Sequence, residues 1–287
     1  TKNDDILMNK LYQKGDPEAF DKNWKTREEA HYNHHTQDRP KNQIQLAFRS
    51  HFEVFSEILE QYPVSGNKVI EPGCGRGTLS NYFAVSGWDV TLLDYNQSVL
   101  DVAKKIFERQ DLRVNYLKGD ALSLDIKADS YDVVTNIGLL EHFEDIQTVM
   151  DEQLRILRPG GWCFSYIVPE RPDNVQRYFN WINTLLKFVA LTGRSKIKNE
   201  KPVVFRSDNF SDRYLDCLDK SKVKNIIAHG MYPLPMISHS PEFPFSLLPT
   251  PVEVVLTKSF QFILRMRSRL YKQHGWICDE KIGQAFL

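Results

Sequence analysis

The chain has 287 residues, 37 basic and 37 acidic side chains, no formal net charge and 41% hydrophobic residues, a length and composition suited to one large globular domain or two small ones. The neutral balance provides no global basic field, so nucleic acid is not expected as a partner. Four scattered cysteines, Cys74, Cys163, Cys217 and Cys278, lack any C-x-x-C pairing and read as reduced thiols in a cytoplasmic setting.

No run of about eighteen apolar residues marks a transmembrane span. No signal peptide opens the sequence as given, and no repeat or low-complexity tract is visible. Thr1 is not an initiator methionine, and the last predicted strand breaks off at Leu287, so trimming at both ends is expected.

Residues 1–63 read as an N-terminal helical cap. Ile44, Phe48, Phe52, Phe55 and Leu59 recur at three- and four-residue spacing between charges. That pattern predicts an amphipathic helix over Pro40–Tyr62, with Pro40 in its first turn. Upstream lie Trp24, His31, Tyr32, His34, His35 and Arg39. The imidazoles invite a metal reading, but no acid cluster accompanies them, and no metal site is expected.

Residues 64–287 read as the main domain. Lys68 to Ser80, KVIEPGCGRGTLS, joins a β-branched strand end to Glu71, Pro72 and the pattern Gly73-x-Gly75-x-Gly77. Thr78 to Ala84 then reads as a helix start. Strand, glycine turn and helix N-terminus together form a nucleotide-sized site with free N–H groups. A dinucleotide fingerprint would place its third glycine where Thr78 stands; here it comes one residue early, at Gly77.

A second strand, Trp88–Asp94, ends on a carboxylate about twenty residues past the glycines, where open α/β sheets bind ribose hydroxyls. Tyr95 and Asn96 follow it. A third strand, Arg113–Asp120, ends in Gly119-Asp120-Ala121-Leu122. A fourth, Tyr131–Ile137, runs into Gly138-Leu-Leu-Glu141-His142-Phe143. The segment Leu154-Arg-Ile-Leu-Arg-Pro-Gly-Gly161 is expected to close a helix and turn into a fifth strand, Trp162–Val168.

Beyond that strand two insertions are expected, at about 170–205 and 233–275. Asp173–Thr192 has a wide apolar helical face, and Gly193–Lys201 is a basic loop. Ser211–Lys220 predicts a short helix and Lys224–His229 strand six. Met231–Phe245, rich in proline and apolar side chains, reads as a stiff lid edge. Thr250-Pro-Val-Glu253 has a capping-box pattern opening a helix to about Gln273. That helix sets Val254, Val255, Phe262, Ile263, Met266 and Leu270 against Lys258, Arg265, Arg267, Arg269 and Lys272. The plain reading packs its apolar face on the domain or on a second subunit; an anionic membrane is the alternative. Glu280–Leu287 predicts the final, antiparallel strand.

Five ordered signals between Gly66 and Pro169 resemble the class I S-adenosylmethionine-dependent methyltransferases, in particular the ubiquinone/menaquinone-type small-molecule group. They are the acid before G-x-G-x-G, Asp94, Gly119-Asp120-Ala121, the D-x-V strand leading to L-E-H, and L-R-P-G-G. The resemblance implies a doubly wound, seven-stranded sheet, mostly parallel, with an antiparallel last strand, an N-terminal helical cap and lid insertions. It implies S-adenosyl-L-methionine as cofactor, lying between Glu71, Gly73, Cys74, Gly75, Gly77 and Asp94. Asp94 would hold the ribose hydroxyls, with Tyr95 and Asn96 beside the adenosine. Asp120 and Ala121 would meet the adenine, and Asn136, Ile137 and Gly138 would pass under the methionine part, with His142 close by.

The implied reaction is direct methyl transfer to an O, N or S nucleophile of a small molecule, driven largely by alignment. His142 is the first candidate for a general base; Tyr32 and Tyr166 follow it. Tyr32 and its neighbours either line the acceptor pocket, as the resemblance implies, or serve in surface or core packing. The alternatives are a lipid or quinone methyltransferase at a membrane surface and a non-catalytic cofactor-binding protein. A homodimer is left open.

Overall fold

The computed structural model describes residues 35–171, 173–191, 207–219, 222–237 and 248–287, without the side chains of 187–191. Five parallel strands form the central sheet in the order β3-β2-β1-β4-β5. They are β1 Lys68–Pro72, β2 Asp89–Asp94, β3 Asn115–Lys118, β4 Tyr131–Ile137 and β5 Leu157–Tyr166. β1, β2 and β4 are buried along almost their whole length, as strands covered on both faces must be, with Val69, Ile70, Val90, Leu92, Val133 and Val134 as their apolar centre. The chain steps outward from β1 to β3 and then returns to β4 on the other side. The strand order therefore reverses between β1 and β4, and a crevice opens there at the carboxyl ends.

Helices alternate with these strands: α1 Gln43–Gln61, α2 Thr78–Val85, α3 Gln97–Glu108 and α4 Ile146–Ile156. Asn42, Asn96 and Asp145 cap α1, α3 and α4 by accepting from Gln45 N, Ser98 N and Thr148 N. The first helix starts at Gln43 rather than Pro40. Its deepest face is Leu46, Ala47, Ser50, His51, Val54 and Phe55. That face is turned one residue from the predicted stripe, because Phe55 stacks on Phe164 of β5 at 4.6 Å and His51 lies against Tyr166 at 4.1 Å.

The L-R-P-G-G segment is not a turn ahead of β5. It is the first half of the strand, bulged so that Tyr131 pairs with Leu157 and Val133 with Trp162. Arg158 Nη1 donates to Asp132 at 2.9 Å, and Lys68 N donates to the same carboxylate. Both contacts lie at the end of the sheet remote from the crevice, so this motif serves the fold.

The C-terminal third departs from expectation more strongly. After β5 come α5 Asn180–Leu191, α6 Ser211–Asp216, β6 Gly230–Met231, α7 Thr250–Tyr271, β7 Ile277–Cys278 and β8 Ala285–Phe286. The predicted helix Asp173–Thr192 is broken into a 3-10 turn, Val175–Tyr178, and α5. Strand six does not occupy Lys224–Ala228: Asn225 takes a left-handed backbone (φ 54°), which breaks extension, and pairing begins at His229–Leu287. Among the described residues the expected seven-stranded sheet is therefore corrected to five strands plus a three-stranded antiparallel sheet, β7-β6-β8. An isolated antiparallel bridge, Ile167–Phe286, joins the two, so the last strand is antiparallel as expected.

The start of the expected lid is core: Met231, Leu234 and Ile237 are buried. The rest of it, 238–247, lies outside the described residues. The capping box of α7 does not form. Pro249 is the N-cap, and Glu253 instead accepts from Gln43 N at 2.9 Å and Gln43 Nε2 at 3.1 Å. The face of α7 expected to pack is exposed, while Glu253, Thr257, Phe260 and Leu264 are buried. No described helix is long and apolar enough to cross a membrane.

Candidate active site

The crevice is built from the carboxyl ends of β1, β2, β3 and β4. Gly73, Gly75 and Gly77 all have left-handed backbones, at φ 66°, 52° and 64°. Residues with a Cβ rarely adopt that conformation. Space also forbids a side chain at two of them. A Cβ at Gly73 would sit 2.6 Å from Leu139 Cδ1, and one at Gly77 would sit 2.9 Å from Phe107 Cε2. Gly77 thus gives α2 its close seat on β2 and α3, although it stands one residue earlier than the dinucleotide pattern requires.

The glycine turn is latched to β2. Cys74 N donates to Leu93 O at 3.0 Å, and Gly75 N donates to Asp94 Oδ2 at 3.2 Å. Asp94 Oδ1 accepts from Asn96 N at 3.0 Å. The Tyr95 backbone N–H bonds this carboxylate as well, and a carboxylate has about four lone-pair directions, so one stays open for a hydroxyl. Burial raises the Asp94 carboxyl, against these backbone bonds that lower it. Gly119 N donates to Asp94 O at 3.1 Å, which brings Asp120 and buried Ala121 alongside. Asp120 Oδ1 accepts from Leu122 N at 2.9 Å. The Tyr95 ring is exposed, and the Asn96 carboxamide caps α3.

Glu71 is buried at the end of β1, and its Oε2 accepts from Ser80 N and from the Ser80 hydroxyl. Burial, with Asp94 adding to it, pushes its carboxyl up to about 7, against the Ser80 bonds that pull it down. Sequence reasoning missed Ser80; its only signal was its place nine residues after the acid. Buried Arg76, inside the glycine turn, was missed as well. The Cys74 thiol is raised well above its ordinary value by burial and stays protonated.

At the end of β4 the main chain, not the Asn136 side chain, forms the rim. Asn136 Nδ2 donates to Gln153 Oε1 at 3.0 Å and Ser165 Oγ at 3.1 Å, inside the protein between β4, α4 and β5. Ile137 is half-buried. Gly138 has φ 67° and donates from N to Tyr166 O at 2.9 Å. Glu141 is buried and accepts from Val168 N at 3.2 Å. His142 follows in a 3-10 turn and is half-buried.

Tyr166 points to the opposite side, against His51. Burial drives its phenol well above the ordinary value and holds the His51 imidazole down to about 3, with Nδ1 accepting from Trp276 Nε1 at 2.9 Å. A phenol so held keeps its proton, so Tyr166 is corrected from candidate base to packing residue. Trp24, His31, Tyr32 and His34 lie outside the described residues. His35 is described, edge-on to Tyr82 of α2 at 4.5 Å. Among the described residues no three metal-ligating side chains gather.

Residues 70–165 match the family model described as a methyltransferase domain. The chain is 37% identical over 107 residues to a ubiquinone biosynthesis O-methyltransferase of Coxiella burnetii, covering 37% of this chain and 46% of that protein. It is 34% identical over 112 residues to the enzyme of the same name from Nitrosospira multiformis, covering 39% and 47%. The matched stretch spans about half the length of these relatives. Among solved structures, a S-adenosylmethionine-dependent methyltransferase from Clostridium acetobutylicum is 17% identical with a TM-score of 0.41, over 44% of this chain and 52% of that one.

Proposed function

We propose that residues 70–165, which match the family model described as a methyltransferase domain, form a class I S-adenosylmethionine-dependent methyltransferase domain, and that the chain methylates an oxygen nucleophile of a small molecule. One observation carries the reading: three left-handed glycines latched by Gly75 N to the Asp94 carboxylate at the switch point of the sheet. The names of the relatives support oxygen over nitrogen or sulfur. Asp94 would hold the ribose hydroxyls, Tyr95 would flank the adenosine, and Asp120 with Ala121 would meet the adenine. The Gly73–Gly77 turn and Gly138 would carry the methionine part. The cofactor supplies a methyl group already activated on sulfur.

The chain's own work is then alignment and proton removal. Aligning two reactants is worth on the order of 7–11 kcal/mol in favourable cases. A hydroxyl acceptor must lose a proton, and His142, beside the Gly138 turn, is our candidate to take it.

Calorimetric titration with S-adenosylhomocysteine, using NAD as the control ligand, tests the cofactor. We expect micromolar binding of the first and none of the second; the reverse would overturn the reading. Transfer of a labelled methyl group to phenolic acceptors tests the reaction. His142→Ala should cut kcat about 100-fold and remove one limb of the pH profile, with S-adenosylhomocysteine affinity unchanged. An unchanged kcat would remove His142 from catalysis.

A further inference from the structure

The C-terminal helix presents an apolar stripe that the described fold does not use. Val252, Val255, Phe262, Ile263, Met266 and Leu270 are exposed, Phe262 at 64% and Leu270 at 71%. At 100° per residue these positions share an arc of about 100°, the width of face that a soluble helix ordinarily buries. The packed face is a different one, made by Glu253, Thr257, Phe260 and Leu264. Part of the stripe, Val255, Ser259, Phe262 and Ile263 with Lys258, lines a shallow open depression.

The charges beside the stripe select what can cover it. Lys258, Arg265, Arg269 and Lys272 follow one long edge, and none pairs with a carboxylate among the described residues. The remaining cation, Arg267, is occupied: its Nε donates to Gly275 O and its Nη2 to Ile277 O, both at 3.1 Å. The helix's one carboxylate, Glu253, is buried against Gln43. The exposed surface of α7 is therefore apolar and cationic, with no anion, on a chain whose formal net charge is zero. A second copy docked along this helix would set four cations against four. An anionic lipid surface complements both features at once.

A second exposed patch lies on a segment linked by hydrogen bonds to the start of α7. Tyr178, Trp181 and Leu185, on the 3-10 turn and α5, are exposed, with Arg177 stacked over Tyr178 at 5.5 Å. Gln176 and Asn183 bond to Met236, and Ile237 bonds through Gln43 to Glu253 at the start of α7. Aromatic rings with a polar edge favour the headgroup level.

We infer that α7 docks the protein on an anionic bilayer, with Phe262 and Leu270 entering the acyl boundary and the four cations resting among the headgroups. The test is co-sedimentation of the full chain, without cofactor or acceptor, with phosphatidylglycerol/phosphatidylcholine vesicles at low salt. Its outcome is thus independent of the methyl-transfer reading. Expected are binding at low salt, a fall of about fivefold or more at molar salt, and little binding to pure phosphatidylcholine. The Phe262→Ser/Leu270→Ser variant should lose binding and keep the parent Tm.

Absence of binding at low salt would overturn the inference, as would binding that ignores salt or the double variant. A several-degree drop in Tm for that variant would also overturn it, because the stripe would then be covered by the chain itself. Sedimentation equilibrium showing a dimer that the variant dissociates would assign the face to a second copy instead.

Discussion

The sheet rim holds a half-buried carboxylate and the C-terminal helix a buried one, for opposite purposes. At the rim, Asp94 is held by N–H groups from Gly75 and Asn96, near it in the chain or across one strand, and keeps part of itself toward the crevice. On α7, Glu253 is turned wholly inward to meet Gln43, 210 residues away, while Phe262 and Leu270 face out. Hydrogen bonds to a buried charge are worth about 1.5–3 kcal/mol each, comparable to burying one large apolar side chain. The face that α7 buries carries this bonded acid together with Phe260 and Leu264. Amphipathicity says that a helix has a preferred side; the partner decides which side it is.

The largest expected effect tests the orientation of α7. Leu264→Ala should cost about 3 kcal/mol of stability, read as a shift of the denaturation midpoint, because Leu264 packs in the core with Phe260 and Trp276. The rim should answer in affinity instead. Asp94→Ala should lower S-adenosylhomocysteine binding on the order of 100-fold by calorimetry, with the far-UV circular dichroism spectrum unchanged. Full retention of affinity would remove Asp94 from the site.

A smaller effect concerns pH. The Glu71 carboxyl is raised in the fold from 4.5 to about 7. The folded chain therefore keeps a proton that the unfolded chain releases between those values. The stability this group contributes is complete below pH 4.5 and is lost as pH rises through about 7. Glu71→Gln should accordingly stabilise the protein by about 1–2 kcal/mol at pH 8 and by little at pH 5, measured by thermal unfolding. A gain equal at both pH values would place the cause in packing. The smallest effect closes the comparison: Leu270→Ala, on the same helix as Leu264, should stay within about 0.5 kcal/mol of the parent.

Much of the rim was legible because its signals are local. Glycine at three left-handed positions, an apolar strand before each acid and a cap after it are demands the backbone makes within a few residues. The L-R-P-G-G segment was equally visible but misplaced in role, since its arginine answers Asp132 at the far end of the sheet. Asn136 illustrates the same limit: its position on β4 was correct, yet Gln153 and Ser165 draw its side chain away from the crevice. Those partners come from α4 and β5, and no spacing in the sequence names them.

The sequence by itself determined the alternation of strands and helices, the switch-point site and the carboxylates that furnish it, because period, glycine and capping chemistry act over short stretches. Only the tertiary structure decided the rest. Among the described residues it set five strands in one sheet and three in a second, where one sheet of seven was expected, and Asn225 breaks extension before Gly230. It made the start of the expected lid part of the core, with Met231, Leu234 and Ile237 buried. It also turned the apolar stripe of α7 outward, because Glu253, Phe260 and Leu264 on the buried face meet distant partners such as Gln43 and Trp276 only once the chain has folded.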